Sequence, residues 1–462
     1  MRKLILTVFT VFFFLTSVAQ NITGQWNGVL KIQAIQLRVV FNINKTETGY
    51  SATMDSPDQA AKGIPVTTVS FQDSILKLSI VNAAIDYEGK LKDELTIVGD
   101  FKQAGKSFPL NLFKGEIEEK KLVRPQEPTK PYPYYSEDVT FENKSANVSL
   151  AGTLTLPKKE GVFPVVVLIS GSGPQNRDEE LLGHKPFLVL SDYLTRNGIA
   201  VLRYDDRGTA ASTGDFKAAT TADFSTDVEA AVAYLETRKE INKKKIGLIG
   251  HSEGGIIAPI VAAQSKDVAF IVLLAGLGIS GDELLLLQQQ LIGKVSGQSD
   301  EDLKETEAIN KGAFDIVKKS TNSEQLRIDL TTYLMQDSSL LKLELATREE
   351  LLKAQLDRLT SPWMQYFLKY NPTSTLEKVK CPVLAINGSK DLQVPAKINL
   401  DAIKSALIKG GNKNVTVKEL PNLNHLFQEC KTGLPSEYST IEQTFSPIAL
   451  TEIVNWIKTQ TK

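Results

Sequence analysis

The stretch Lys245-Ile246-Gly247-Leu248-Ile249-Gly250-His251-Ser252-Glu253-Gly254-Gly255 decides how this chain is read. An apolar strand-like run ends in a glycine-flanked serine, and the helix-like text Ile256 to Gln264 follows at once. A G-x-S-x-G match acquires meaning in that context: a serine on a sharp strand-to-helix turn leaves no room for side chains two positions to either side, and the turn lifts its hydroxyl above the sheet edge. Ser252 is therefore the candidate nucleophile.

A serine needs a positioned base, and that base needs a carboxylate to orient it. Only three histidines exist, His184, His251 and His425. His251 is the neighbour of the serine in the turn, His184 lies in helix-like text, and His425 falls in a loop after the last core strand, so His425 is the expected base. Asn387-Gly388-Ser389-Lys390-Asp391 places an aspartate just beyond the strand Pro382 to Ile386, which makes Asp391 the expected orienting acid. The order Ser252, Asp391, His425 differs from that of the two other serine-protease arrangements. Two N–H donors are needed for a developing oxyanion. One is expected from Glu253, the residue after the nucleophile, and the other from the glycine-rich loop Ser170-Gly171-Ser172-Gly173-Pro174, at Ser172 or, one position on, Gly173.

Outward from this centre the text alternates strand and helix, the mark of a mostly parallel sheet covered on both faces. Phe163 to Ser170, Ile199 to Tyr204, Lys245 to Gly250, Ala269 to Ala275, Cys381 to Asn387 and Asn414 to Leu420 read as strands, and Pro447 to Thr459 as a closing helix. One interruption, about 278–370, is rich in Leu, Lys, Glu and Gln at helical spacing. It leaves the carboxyl end of a strand, so it reads as a helical cap over the ligand crevice. Trp363 and Tyr366 in the cap, and His184 beside Gly183, are candidate substrate contacts. The aromatic cluster Trp363, Met364, Tyr366 and Phe367 also suits the cap's own core, and His184 a structural hydrogen-bonding role.

The N-terminal part has another texture. From about Ile22 to Phe113 short alternating runs are broken by turn residues, which reads as a small all-β domain, 20–118, a compact barrel or sandwich. Pro125, Pro128, Pro131 and Pro133 mark an extended linker, 119–136, and the second domain follows as 137–462. Residues 1–19 combine Arg2 and Lys3, an apolar run and Ser17-Val18-Ala19, the pattern of a cleaved export signal. No lipobox cysteine accompanies it, so a periplasmic or secreted protein without an integral membrane span after cleavage is expected.

Composition sets the remaining bounds. Hydrophobic residues are 42% and charged residues 23% of 462, which excludes a largely disordered chain and calls for more than one core. With 53 basic against 54 acidic residues, no field draws nucleic acid. No zinc-type Cys/His spacing occurs, so no metal is expected, and a serine nucleophile with its base and acid requires no cofactor. Cys381 and Cys430 lie in a segment that needs no staple, and their pairing stays open.

The Ser252 turn, together with Gly171-Ser172-Gly173-Pro174, Arg203-Tyr204-Asp205-Asp206-Arg207-Gly208, Asn387 to Asp391 and Asn424-His425-Leu426-Phe427-Gln428, resembles the α/β-hydrolase superfamily, most closely its exported bacterial acyl esterase and serine aminopeptidase-like branch. The resemblance runs from about Asp138 to the end. It implies a doubly wound sheet with a helical cap, and hydrolysis of a small-molecule carboxylic ester through an acyl-enzyme. One departure is Ser170, where many members carry histidine. A peptidase or aminopeptidase on the same residues, and a glycan- or lipid-binding protein with an inert hydrolase domain, are the other readings. For Asp205, Asp206 and Arg207 the expectation is a structural turn with a carboxylate pairing Arg207, and for the Glu253 carboxylate a partner such as Arg177 or Arg207.

Overall fold

The computed structural model describes residues 21–32, 35–57, 61–103, 106–115, 123–341 and 345–462; the expected export signal, 1–19, lies outside the described residues. The chain divides mainly into an N-terminal unit reaching Glu118 and a larger unit from Glu119 to Lys462.

The first unit is one antiparallel sheet, formed by β1 (Gly24–Ile32), β2 (Ile35–Lys45), β3 (Tyr50–Ser56), β4 (Ala61–Pro65), β5 (Thr68–Gln72), β6 (Ile75–Ile80), β7 (Ile85–Asp93), β8 (Thr96–Gln103), β9 (Lys106–Pro109) and β10 (Leu112–Lys114). Its spatial order is β4-β3-β2-β1-β10-β8-β7-β6-β5, with β9 beside β8. Strict alternation, as in Ile85, Tyr87 and Gly89 inward against Asp86, Glu88 and Lys90 outward, gives the sheet one apolar face. Phe41 of β2 and Tyr87 of β7 are several strands apart in that order, yet their rings meet at 5.7 Å. The sheet therefore curls on itself, and Trp26, Leu76, Ile97 and Leu112 fill the inside.

The second unit begins with a segment that is pinned, not free. Arg124 donates to the carbonyls of Gly183, Ser439 and Ile441, and Gln126 bonds the main chain of Thr444 and Phe445. The sequence reading treats this stretch as a stiff spacer, because proline content reports local stiffness but not what a polar side chain finds on the folded surface.

Two antiparallel strands missing from the sequence reading, β11 (Tyr135–Asn143) and β12 (Val148–Leu156), then precede β13 (Phe163–Ile169), α1 (Pro186–Arg196), β14 (Ala200–Tyr204), α2 (Thr221–Thr237), β15 (Ile241–His251), α3 (Gly254–Gln264) and β16 (Val268–Leu274). After a helical excursion come β17 (Val383–Gly388), α11 (Ala396–Lys409), β18 (Val415–Leu420) and α12 (Pro447–Gln460). Sheet order is β11-β12-β14-β13-β15-β16-β17-β18, with every pair from β14 to β18 parallel. Val165, Val167 and Ile169 pack toward α2, α3 and α11, and Val166 and Leu168 toward α1 and α12, so both faces are dry. The apolar runs read as strands for that reason.

The excursion is α4 (Gly281–Val295), α5 (Asp300–Lys319), α6 (Ser323–Leu334), α7 (Ser338–Leu341), α8 (Leu345–Leu359), α9 (Pro362–Lys369) and α10 (Thr373–Leu376). Ser299, Asn322 and Ser361 cap three of these helices with their side chains, and Phe314, Val317, Leu330, Leu356 and Met364 give the cap a core of its own. Among the described residues no helix is long and apolar enough to cross a membrane.

Candidate active site

β13 and β15 are neighbours at the point where strand order reverses, and their carboxyl ends open the crevice. Ser252 follows β15 with φ +52°, a left-handed conformation that costs a non-glycine residue about 1–2 kcal/mol. Its N–H donates to the Leu274 carbonyl at 2.9 Å, which holds the turn. Close approach explains the glycines: a Cβ on Gly250 would lie 1.9 Å from the Gly254 oxygen, and one on Gly254 2.2 Å from the Ile169 oxygen.

His425 and Asp391 come from the loops after β18 and β17, and His425 Nδ1 meets Asp391 Oδ2 at 2.8 Å. The other carboxylate oxygen accepts from the Gln393 and Val394 N–H groups at 2.8 and 2.9 Å, so Asp391 is oriented before the imidazole is counted. Ser252, Glu253, Ser172 and His425 line one cavity of about 240 Å³, walled by Leu277, Leu284, Leu285, Phe367 and Leu426.

Glu179 shapes the loop after β13. It is buried, at φ +50°, and one oxygen accepts from the Gly171 N–H at 2.8 Å and faces His251 Nδ1 at 2.8 Å. Gly171 is thereby used up as a donor. The N–H groups of Glu253 and Ser172 meet no protein acceptor among the described residues. Gly173, at φ +97°, does not line the cavity. No local signal pointed to Glu179, since an acidic residue in a polar loop ordinarily reads as solvated.

The Glu253 carboxylate is buried and is held by Thr221 Oγ1 at 2.7 Å, Trp363 Nε1 at 2.7 Å and the Ser172 hydroxyl. Burial pushes its pKa up, against those hydrogen bonds. The arginines expected beside it are engaged elsewhere: Arg177 grips Asp205 at 2.7 and 3.1 Å, and Arg207 grips Asp227 at 2.7 and 2.9 Å. Asp206 accepts from Ser170 Oγ and the Gln175 N–H, and the carboxylate expected to pair Arg207 is that of Asp227 on α2. Adjacent side chains on the turn point apart and find partners on other elements.

Of the candidate substrate contacts only Trp363 reaches the cavity. Tyr366 stacks on Tyr370 at 5.7 Å and lies outside it. His184 is also corrected: it is fully buried, with Nδ1 on Thr444 Oγ1 at 3.0 Å and Nε2 near the Tyr438 oxygen at 2.8 Å and Gln428 Nε2 at 3.0 Å. Cys381 and Cys430 are both free, and burial pushes each thiol up to about 11. No group of three or more metal-ligating side chains gathers among the described residues.

The doubly wound sheet, the serine turn and the cap define a serine hydrolase of the α/β class. Within it the chain belongs to the S15 family of X-Pro dipeptidyl-peptidases, whose pattern residues 146–402 match. The esterase EstD of Thermotoga maritima is 27% identical over 296 residues, 64% of this chain, and the chain spans 62% of that relative's length. An uncharacterized 31.7 kDa protein of Escherichia coli is 24% identical over 276 residues, covering 58% of this chain and 86% of its own. Among solved structures, the α/β hydrolase GrgF of Penicillium sp. sh18 aligns with a TM-score of 0.43 at 16% identity, over 71% of this chain and 99% of that one. The Pyrococcus furiosus esterase Pf2001 aligns with 0.43 at 15%, over 75% and 100%.

Proposed function

We propose that this protein is an exported carboxylic-ester hydrolase, residues 1–19 being its cleaved signal. Ser252 Oγ attacks the ester carbonyl while its proton passes to His425 Nε2, and Asp391 holds the imidazole and its developing charge. The N–H groups of Glu253 and Ser172 receive the oxyanion. Collapse expels the alcohol, which takes the proton from His425; water then gives a proton to the same nitrogen and attacks the acyl-enzyme, and Ser252 Oγ takes that proton back as the acid leaves.

The observation that carries this reading is the 2.8 Å bond between His425 and Asp391 at a cavity that Ser252 lines. The name of the Thermotoga relative supports ester chemistry, and the family's name supports the second reading, a peptidase on the same residues. An aminopeptidase needs a carboxylate free for the substrate's ammonium group. The acidic residues lining the cavity are Glu179 and Glu253, each bonded by protein donors through one carboxylate oxygen, and these are the groups an aminopeptidase would have to use.

The test is hydrolysis of p-nitrophenyl esters from acetate upward, beside aminoacyl and X-Pro p-nitroanilides, by wild type and Ser252→Ala. Ester turnover that falls by several orders of magnitude in the variant is expected. Turnover of the anilides alone would move the assignment to the peptidase.

A further inference from the structure

Beside the catalytic cavity lies a larger one of about 410 Å³, lined by α4, α5, α6 and α8 of the cap. Leu285 and Gln288 of α4 line both. The catalytic cavity, about 240 Å³, is smaller than ordinary ligand pockets of roughly 300–1,000 Å³, and the second falls within that range. An acyl group and the scissile bond fill the first; a larger substrate has its remaining room next door.

The lining says what that remainder is. Gln288, Gln289, Gln298, Asn310 and Gln355 present carboxamides, over an apolar floor that includes Phe314. A carboxamide both donates and accepts, as a hydroxyl group does. A fatty chain would strip water from all of these groups and return no hydrogen bond. An anion would find one cation, Arg358, at an exposed position. Gln289 is the sharpest mark: its Oε1 accepts from Asn310 Nδ2, whereas its Nε2 is buried with no partner among the described residues. Such an orphaned donor destabilises the fold, and a ligand oxygen in the cavity would satisfy it.

The geometry points to a second substrate subsite in the cap, which takes a neutral, hydroxyl-rich group of the pyranoside type joined to the ester cleaved at Ser252. The inference rests on the esterase reading for its chemistry, but binding can be measured without turnover.

The probe pair is xylotriose and its O-acetyl ester, with p-nitrophenyl acetate as the small reference, and the variant is Gln289→Leu/Asn310→Leu. Replacing both hydrogen-bonded partners by apolar groups leaves no new orphan, so folding is expected to survive, checked by the thermal midpoint. Neither residue lines the catalytic cavity. The double variant should raise KM for the acetylated saccharide at least tenfold and leave kcat/KM for p-nitrophenyl acetate within about twofold. Equal changes on both substrates, or none on the saccharide, would overturn the subsite. So would the same variant weakening an N-acetyl dipeptide ester instead, since the cavity would then be a peptide site. If wild type hydrolyses no ester, the esterase reading fails by itself, and calorimetry of xylotriose with Ser252→Ala decides the subsite: saturable binding lost in the triple variant supports it, and no binding overturns it.

Discussion

His251 Nε2 donates to the main-chain oxygen of His425 at 2.9 Å, and the two rings lie 4.9 Å apart. The residue before the proposed nucleophile thus holds the loop that carries the proposed base. On its other nitrogen His251 meets Glu179, which also fixes the Gly171 N–H. The contact between Glu179 and His251 therefore joins three loops of the site. Burial disfavours the imidazolium, yet the Glu179 carboxylate and the His425 carbonyl outweigh it and push the His251 pKa up.

Glu179→Gln should accordingly lower kcat by about 10–100-fold, as displacement of catalytic groups by fractions of an ångström does, with KM within about threefold. Steady-state kinetics on one ester, with the thermal midpoint as a folding check, measures this. Glu179→Asp should recover part of the loss. A purely structural role would lower stability and leave kcat of the folded fraction intact.

Asp391→Asn keeps an oxygen that can face His425 and removes the charge that, in the proposed mechanism, stabilises the imidazolium. By the general behaviour of such carboxylates kcat should fall about 10⁴-fold, while the fold persists. Circular dichroism beside single-turnover kinetics checks both halves.

The Asp206 carboxyl is pushed up to about 8, first by burial, with Glu253 and Glu179 adding to it and the bonds from Gln175 and Ser170 opposing. In the unfolded chain the same group titrates near its ordinary value of about 3.9. Between these values the folded state holds a proton that the unfolded state has lost, so its contribution to stability falls as pH rises from about 4 to about 8. Asp206→Asn removes that slope. Urea unfolding at pH 6, 7 and 8 should show the variant gaining on wild type, by at most about 1.4 kcal/mol per pH unit.

His184 gives the opposite sign. Burial pushes it down to about 4, with Arg124 adding and the Tyr438 carbonyl opposing. The unfolded chain takes up a proton near pH 6.5 that the folded state refuses, so this contribution is whole above 6.5 and is lost as pH falls toward 4. His184→Gln should be less stable than wild type at pH 7, with the gap narrowing toward pH 5, read from thermal midpoints across that range.

What the sequence determined by itself is what short range enforces. The turn at Ser252 is legible because its two flanking glycines stand at fixed spacing in adjacent text, where an added Cβ would lie 1.9 Å from the Gly254 oxygen at Gly250 and 2.2 Å from the Ile169 oxygen at Gly254. The parallel strands were legible because sheets buried on both faces leave uninterrupted apolar runs, and the cap because helical spacing replaces them. Strands β11 and β12 are harder to read from the text, although Val139 and Phe141 alternate with polar neighbours, because a proline-rich approach masks their start. Tertiary structure alone decided the partners of charged and polar groups. Glu253 found Thr221 and Trp363, Arg207 found Asp227, His184 found Thr444 and Glu179 found His251, at separations of 20 to 260 residues. A buried polar atom must be paired, but the pairing energy depends on distance in space, and nothing in the local sequence encodes which distant atom the fold will bring within 3 Å.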